Sequence, residues 1–170
     1  MMNPLDEQIE SFHTAMSAFK VVRRILDERT NPTSNTEFYG LTPQEGRDML
    51  EQAEEQLNKL VAFSLFAAFE RSLRDHLAKN LNPIQTSSTT PTELGDKLHD
   101  FLEGGVDNWK IDSVIELFQP PAAEQDINNA KNIRTYRNRV AHGSSPSVAI
   151  PPRTAHKQLS DFLKNVGLVS

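Results

Sequence analysis

The chain has 170 residues with 37% hydrophobic and 24% charged side chains, enough for one core in one domain spanning residues 1–170 and too apolar for wholesale disorder. It has no cysteine, which excludes disulfides, iron–sulfur clusters, thiolate zinc sites and cysteine nucleophiles. Its longest apolar stretch, Leu60 to Phe69, is broken by Ser64, which excludes a membrane span, and its net charge of −5 has the wrong sign for a nucleic-acid binder.

The N-terminus is acidic and lacks an apolar segment, so no signal peptide is read there and the cytoplasm is the expected location. Asn3-Pro4 supplies a cap and a first-turn proline. Leu5, Ile9, Phe12, Met16, Phe19, Val22 or Arg23, and Leu26 then step by three or four, which predicts an amphipathic helix over Leu5 to Glu28. Thr30 to Gly40, rich in Asn, Ser and Pro, reads as a loop. Thr42-Pro43-Gln44-Glu45 is a capping box that opens a long helix reaching about Asn80. Its second half, apolar on nearly every side, is expected to be the most buried element. Asn82-Pro83 and the Thr/Ser run to Thr90 close it. A second capping box at Thr90 to Glu93 starts a short helix through Leu94 and Leu98, stopped by Gly104-Gly105. Another short helix is expected over Lys110 to Phe118, with Trp109 plugging the end of the bundle.

A further helix spans Ala123 to Ala141 with Ile127, Ala130, Ile133 and Val140 inward, and Gly143-Ser144-Ser145-Pro146 stops it. The last helix runs from Arg153 to Asn165, with Gly167 placed as its terminating glycine. The expected fold is therefore all-α, an antiparallel bundle of four to five main helices plus short ones.

The charge is unevenly placed. Residues 1–130 carry 11 Lys/Arg against 22 Asp/Glu, a net −11, whereas residues 131–170 carry 7 against Asp161 alone, a net +6. A polyanion could dock on this basic end; alternatively, the basic end packs against the acidic helices of its own chain. Phosphate loops, paired metal-ligand histidines and serine-nucleophile elbows are all missing, so neither a metal nor a cofactor is expected.

What remains is Arg134-Thr-Tyr-Arg137-Asn138-Arg139-Val-Ala-His142-Gly143. Arg134, Asn138 and His142 are spaced four apart and share a helical stripe, while Arg137 lies about 140° around the helix from His142. A helix ending at Gly143 frees the imidazole to turn back. These residue types suit RNA cleavage without metal. An imidazole near neutral pKa can exchange protons with a ribose 2′-hydroxyl and a leaving 5′-oxygen, and a guanidinium can hold the phosphate through two hydrogen bonds. Asn138 would orient one or the other. One histidine does not readily serve both proton transfers, so a symmetric dimer supplying a second Arg/His pair is expected. A second Arg-x4-His, Arg71 to His76, lies inside the long helix without a terminating glycine and reads as accidental.

At Arg137-Asn138-x-x-x-His142-Gly143 the chain resembles the HEPN superfamily (higher eukaryotes and prokaryotes nucleotide-binding domains), whose Arg-x4–6-His motif comes late, near a helix end, often with Asn directly after Arg. The stretch Phe66 to Leu77, including Glu70, is similar to that family's second-helix segment. The resemblance covers about residues 5–166. It implies a HEPN-like bundle and a metal-independent endoribonuclease with a toxin or phage-defence role, its site formed across a homodimer. His142 would act in acid/base catalysis and Arg137 on the scissile phosphate, with Asn138 and Glu70 in support. An antitoxin or immunity protein is a possible partner. The tyrosine that often follows the histidine where a nucleotidyltransferase antitoxin is present is replaced by Gly143-Ser144-Ser145. Lys131, Arg134 and Arg139 are candidate RNA contacts. Glu70 could alternatively pair with Arg74 four residues on, and a HEPN-like module that binds RNA or protein without cleaving remains the alternative function.

Overall fold

The computed structural model describes residues 3–28, 36–85, 105–106, 108–119, 121–144 and 149–169. Among them it is all-α: α1 Asp6–Asp27, α2 Pro43–Gln85, α3 Ile111–Glu116, α4 Glu124–Ala141 and α5 Pro152–Asn165. The expected helix over residues 91–102 lies outside the described residues.

Local chemistry sets the helix ends. At the start of α2, Thr42 N–H donates to Glu45 Oε2 at 2.8 Å and Glu45 N–H to Thr42 Oγ1 at 3.3 Å, so the capping box satisfies two donors that the first turn leaves open. The backbone and hydroxyl hydrogen bonds from Thr42 hold the Glu45 carboxyl below its usual pKa. The ends of α4 and α5 share one device. Gly143 and Gly167 take φ of +69° and +74°. The following residues, Ser144 and Leu168, donate N–H bonds back to Arg139 O and Leu163 O, closing both helices through a left-handed residue.

The long helix α2 is the spine against which α1, α4 and α5 pack. Helix α1 runs antiparallel to it, since Asp27 meets Arg47 and Arg23 meets Glu54 at 2.9 Å each, while Gln8 lies beside Val61 and Ser64. Asn3 Nδ2 donates to Ser160 Oγ, and His156 Nε2 meets Asp6 Oδ1, tying the start of α1 to α5. The core centres on Phe66, Phe69, Leu73, Phe162 and Leu159, all fully buried, with Phe69 and Phe162 edge to face at 5.1 Å. Each such side chain contributes about 1.5–3 kcal/mol by leaving water.

Arg74 joins α2 to the segment before α3. It pairs with Glu70 at 2.8 Å and donates to the carbonyls of Val106 and Trp109. Trp109 sits over Gly105, where a Cβ would come within 2.6 Å of its Nε1, so this close approach requires glycine.

The fold departs from the sequence expectation in four places. Helix α2 continues past Pro83 to Gln85; a proline near a helix end forfeits a hydrogen bond without having to stop the chain. Residues 105 and 106 are helical where a stop was expected. The apolar segment of α2 is not covered all round, for Leu60 is 67% exposed and Phe63 38%. On α4, Tyr136 rather than Val140 completes the buried face.

Candidate active site

Helix α4 carries the motif. Its apolar face, Ile127, Ala130, Ile133 and Tyr136, is buried, which fixes its rotation and therefore the direction of every polar residue on it. Burial pushes the Tyr136 hydroxyl above its ordinary pKa of 10.0, and Lys59 and Glu55 of α2 act on it with opposite signs.

Arg137 faces α2. Its guanidinium carbon lies 4.3 Å from the centroid of the Phe63 ring, a cation–π geometry. Its Nη1 donates to Asn138 Oδ1 at 3.0 Å. Its Nε is buried without an acceptor. The fork thus keeps donors uncommitted beside a half-exposed aromatic ring. Phe63 and its neighbour Leu60 extend an open stripe along α2 through Ala53 to Met49. These residues follow one another at helical intervals of three, seven and four.

His142 is the residue that ends α4. Its N–H donates to Asn138 O at 3.1 Å, so the helical register holds to this position. The imidazole is exposed and has no partner among the described residues. Within one chain the helix directs His142 about 140° away from Arg137, but about 60° from Arg139 and about 20° from Thr135. Asn138, between the two motif residues, touches both through different groups: its side chain accepts from Arg137 and its carbonyl from the His142 N–H.

The other expected RNA contacts divide. Lys131 pairs with Glu116 and Arg134 with Asp112, both acids of α3. This part of the basic end therefore packs against the chain's own carboxylates. Arg139 is exposed and makes no ion pair among the described residues. Glu70 holds Arg74. Seven residues separate it from Phe63, so it lies on the same side of α2, about 10.5 Å along the axis.

Phe63 is the residue of this site that sequence reading missed, hidden in a segment apolar on every side. Comparison of the chain with protein-family models, curated proteins and solved structures returns no match.

Proposed function

We propose that this chain is a HEPN-like, metal-independent endoribonuclease that works as a homodimer, with a toxin or phage-defence role as its resemblance implies. The observation that carries this reading is the end of α4: an exposed imidazole at His142 without a partner among the described residues, set by a left-handed Gly143, with Arg137 five residues earlier, its guanidinium held by Asn138 and Phe63 and in no ion pair among the described residues.

In this reading the ribose 2′-oxygen attacks phosphorus as an imidazole removes its proton. The bond to the 5′-oxygen breaks as a second imidazole protonates it, leaving a 2′,3′-cyclic phosphate and a 5′-hydroxyl. Arg137 holds the non-bridging oxygens and offsets the charge growing on them. Because the helix turns Arg137 and His142 apart within one chain, the centre is assembled from two copies. The open apolar stripe of Met49, Ala53, Leu60 and Phe63 borders Arg137 and is the face on which a second copy would seat.

The test is cleavage of a mixed single-stranded RNA pool with chelator present, comparing the wild type with a folded His142→Ala variant. Loss of cleavage in the variant supports the reading. Equal cleavage by both, or cleavage only on adding a divalent metal, overturns it. The separation of Arg137 from His142 favours a second reading, a module that binds RNA without cutting it; unchanged RNA binding with no cleavage in either protein would select it.

A further inference from the structure

Helices α4 and α5 lie antiparallel, with Asp126 held by Asn165 at one end and Arg139 near Ile150 and Pro151 at the other. Between them runs a cleft of about 530 Å³, within the range of small-molecule sites. One wall comes from α4, where Asn129, Asn132, Tyr136 and Arg139 recur at intervals of three and four, and Gln158 stands on the α5 side. Ile150 adds an apolar contact.

Three features describe what this cleft accepts. First, it offers carboxamides. Asn132 and Gln158 have no hydrogen-bond partner among the described residues, and Asn129 uses only its oxygen, accepting from Gln125 at 2.9 Å. A carboxamide presents a donor and an acceptor side by side, the arrangement that pairs with the edge of a nucleobase. Second, among the described residues the lining contains the unpaired Arg139 and no carboxylate, so the cleft favours an anion. The adjoining hollow along α5 differs, since there Asp126 and Asp161 stand beside Arg153 and Lys157 and Lys157 is bound to Asp161. Third, His142 follows Arg139 by one helical turn on the same side of α4.

We propose that the α4/α5 cleft receives one ribonucleotide of the RNA, its base paired with the carboxamides of Asn132 and Gln158 and its phosphate held by Arg139, so that the cleft selects which base stands beside the scissile bond. This assignment rests on the ribonuclease reading for its role in cleavage, and on the lining of the cleft for the ligand itself.

Two measurements on the full chain test it separately. In the first, binding of the four nucleoside 5′-monophosphates and of ribose 5-phosphate is followed by calorimetry. At least one nucleotide should bind about tenfold more tightly than ribose 5-phosphate, the worth of one good pair of hydrogen bonds. Asn132→Ala combined with Gln158→Leu should erase that difference. Both positions lie outside the buried core, so the variant's circular dichroism should match the wild type. In the second, cleavage sites are mapped in a random RNA pool. The wild type should show a base preference at a fixed distance from the cut, and the double variant should lose it. Equal binding of ribose 5-phosphate and every nucleotide, or a preference unchanged in the double variant, overturns the assignment. An absence of cleavage by the wild type would refute the ribonuclease reading while leaving the calorimetric comparison to decide the cleft.

Discussion

Gly143 is the hinge between the fold and the candidate chemistry, and replacing it by alanine isolates that link. Its φ of +69° lies where an L-residue meets its own carbonyl, and a Cβ built there has nothing else within 4 Å. The cost of Gly143→Ala is therefore conformational, not steric crowding by neighbours, and amounts to about 1–2 kcal/mol. For a chain of this length that lowers the melting temperature by about 2–8 °C. Gly143→Asn should lose less, because asparagine enters this region more readily. Thermal unfolding by circular dichroism, with urea titration as a second probe, measures both. The variant has a second consequence: if the C-terminal turn refolds to relieve the strain, Ser144 gives up its bond to Arg139 O and His142 changes its approach, so any RNA cleavage should fall with it. A Gly143→Ala protein as stable as the wild type, or more stable, would refute a left-handed end to α4. It would place His142 inside a continuing helix, locked in the Thr135–Arg139 stripe.

The remaining predictions concern the packing around the site. A double-mutant cycle on Arg137 and Phe63 should give a coupling of about 0.5–1 kcal/mol, read by urea unfolding; a coupling of zero would show that the stacked pose is not held. If the chain forms the proposed homodimer, Leu60→Lys, a change at a residue mostly exposed in the single chain, should shift sedimentation toward monomer, and a variant that sediments like the wild type would remove the α2 stripe from the interface. Arg74→Met should destabilise by about 1–3 kcal/mol, since it strips donors from the Val106 and Trp109 carbonyls as well as from Glu70. At the start of α2, Glu45 has its pKa lowered in the fold, so its contribution is present above the ordinary value of 4.5 and disappears as pH falls through the folded value. The melting-temperature gap between wild type and Glu45→Gln should accordingly be full at pH 7 and vanish in strong acid, and a gap independent of pH would contradict the capping box.

Much of the architecture is written in local signals. The extents of α1, α4 and α5 follow from apolar spacing, the start of α5 also from Pro152 in its first turn and the ends of α4 and α5 from Gly143 and Gly167 after the last turn, signals that act within a few residues of where they stand. What spacing does not encode is which helix lies across from a given face. The 140° between Arg137 and His142 follows from helical periodicity, but that Phe63 fills the space opposite Arg137 depends on how α2 and α4 cross. Likewise Asp112 and Glu116 neutralise Arg134 and Lys131 from another helix, 22 and 15 residues away, across the turn that follows α3. The exposed side of Leu60-to-Phe69 was unreadable for a related reason. A helix apolar all round looks buried until the number of neighbours around it is known.

The most direct test of the central claim uses an RNA oligonucleotide with a single 2′-deoxyribose at a mapped cleavage position. If His142 activates the RNA's own 2′-hydroxyl, the deoxy position stays uncut in the presence of chelator while the all-ribose control yields a 2′,3′-cyclic phosphate and a 5′-hydroxyl. Cleavage at the deoxy position, or a product bearing a 5′-phosphate, would mean that water attacks the phosphorus and that the proposed chemistry of Arg137 and His142 is wrong.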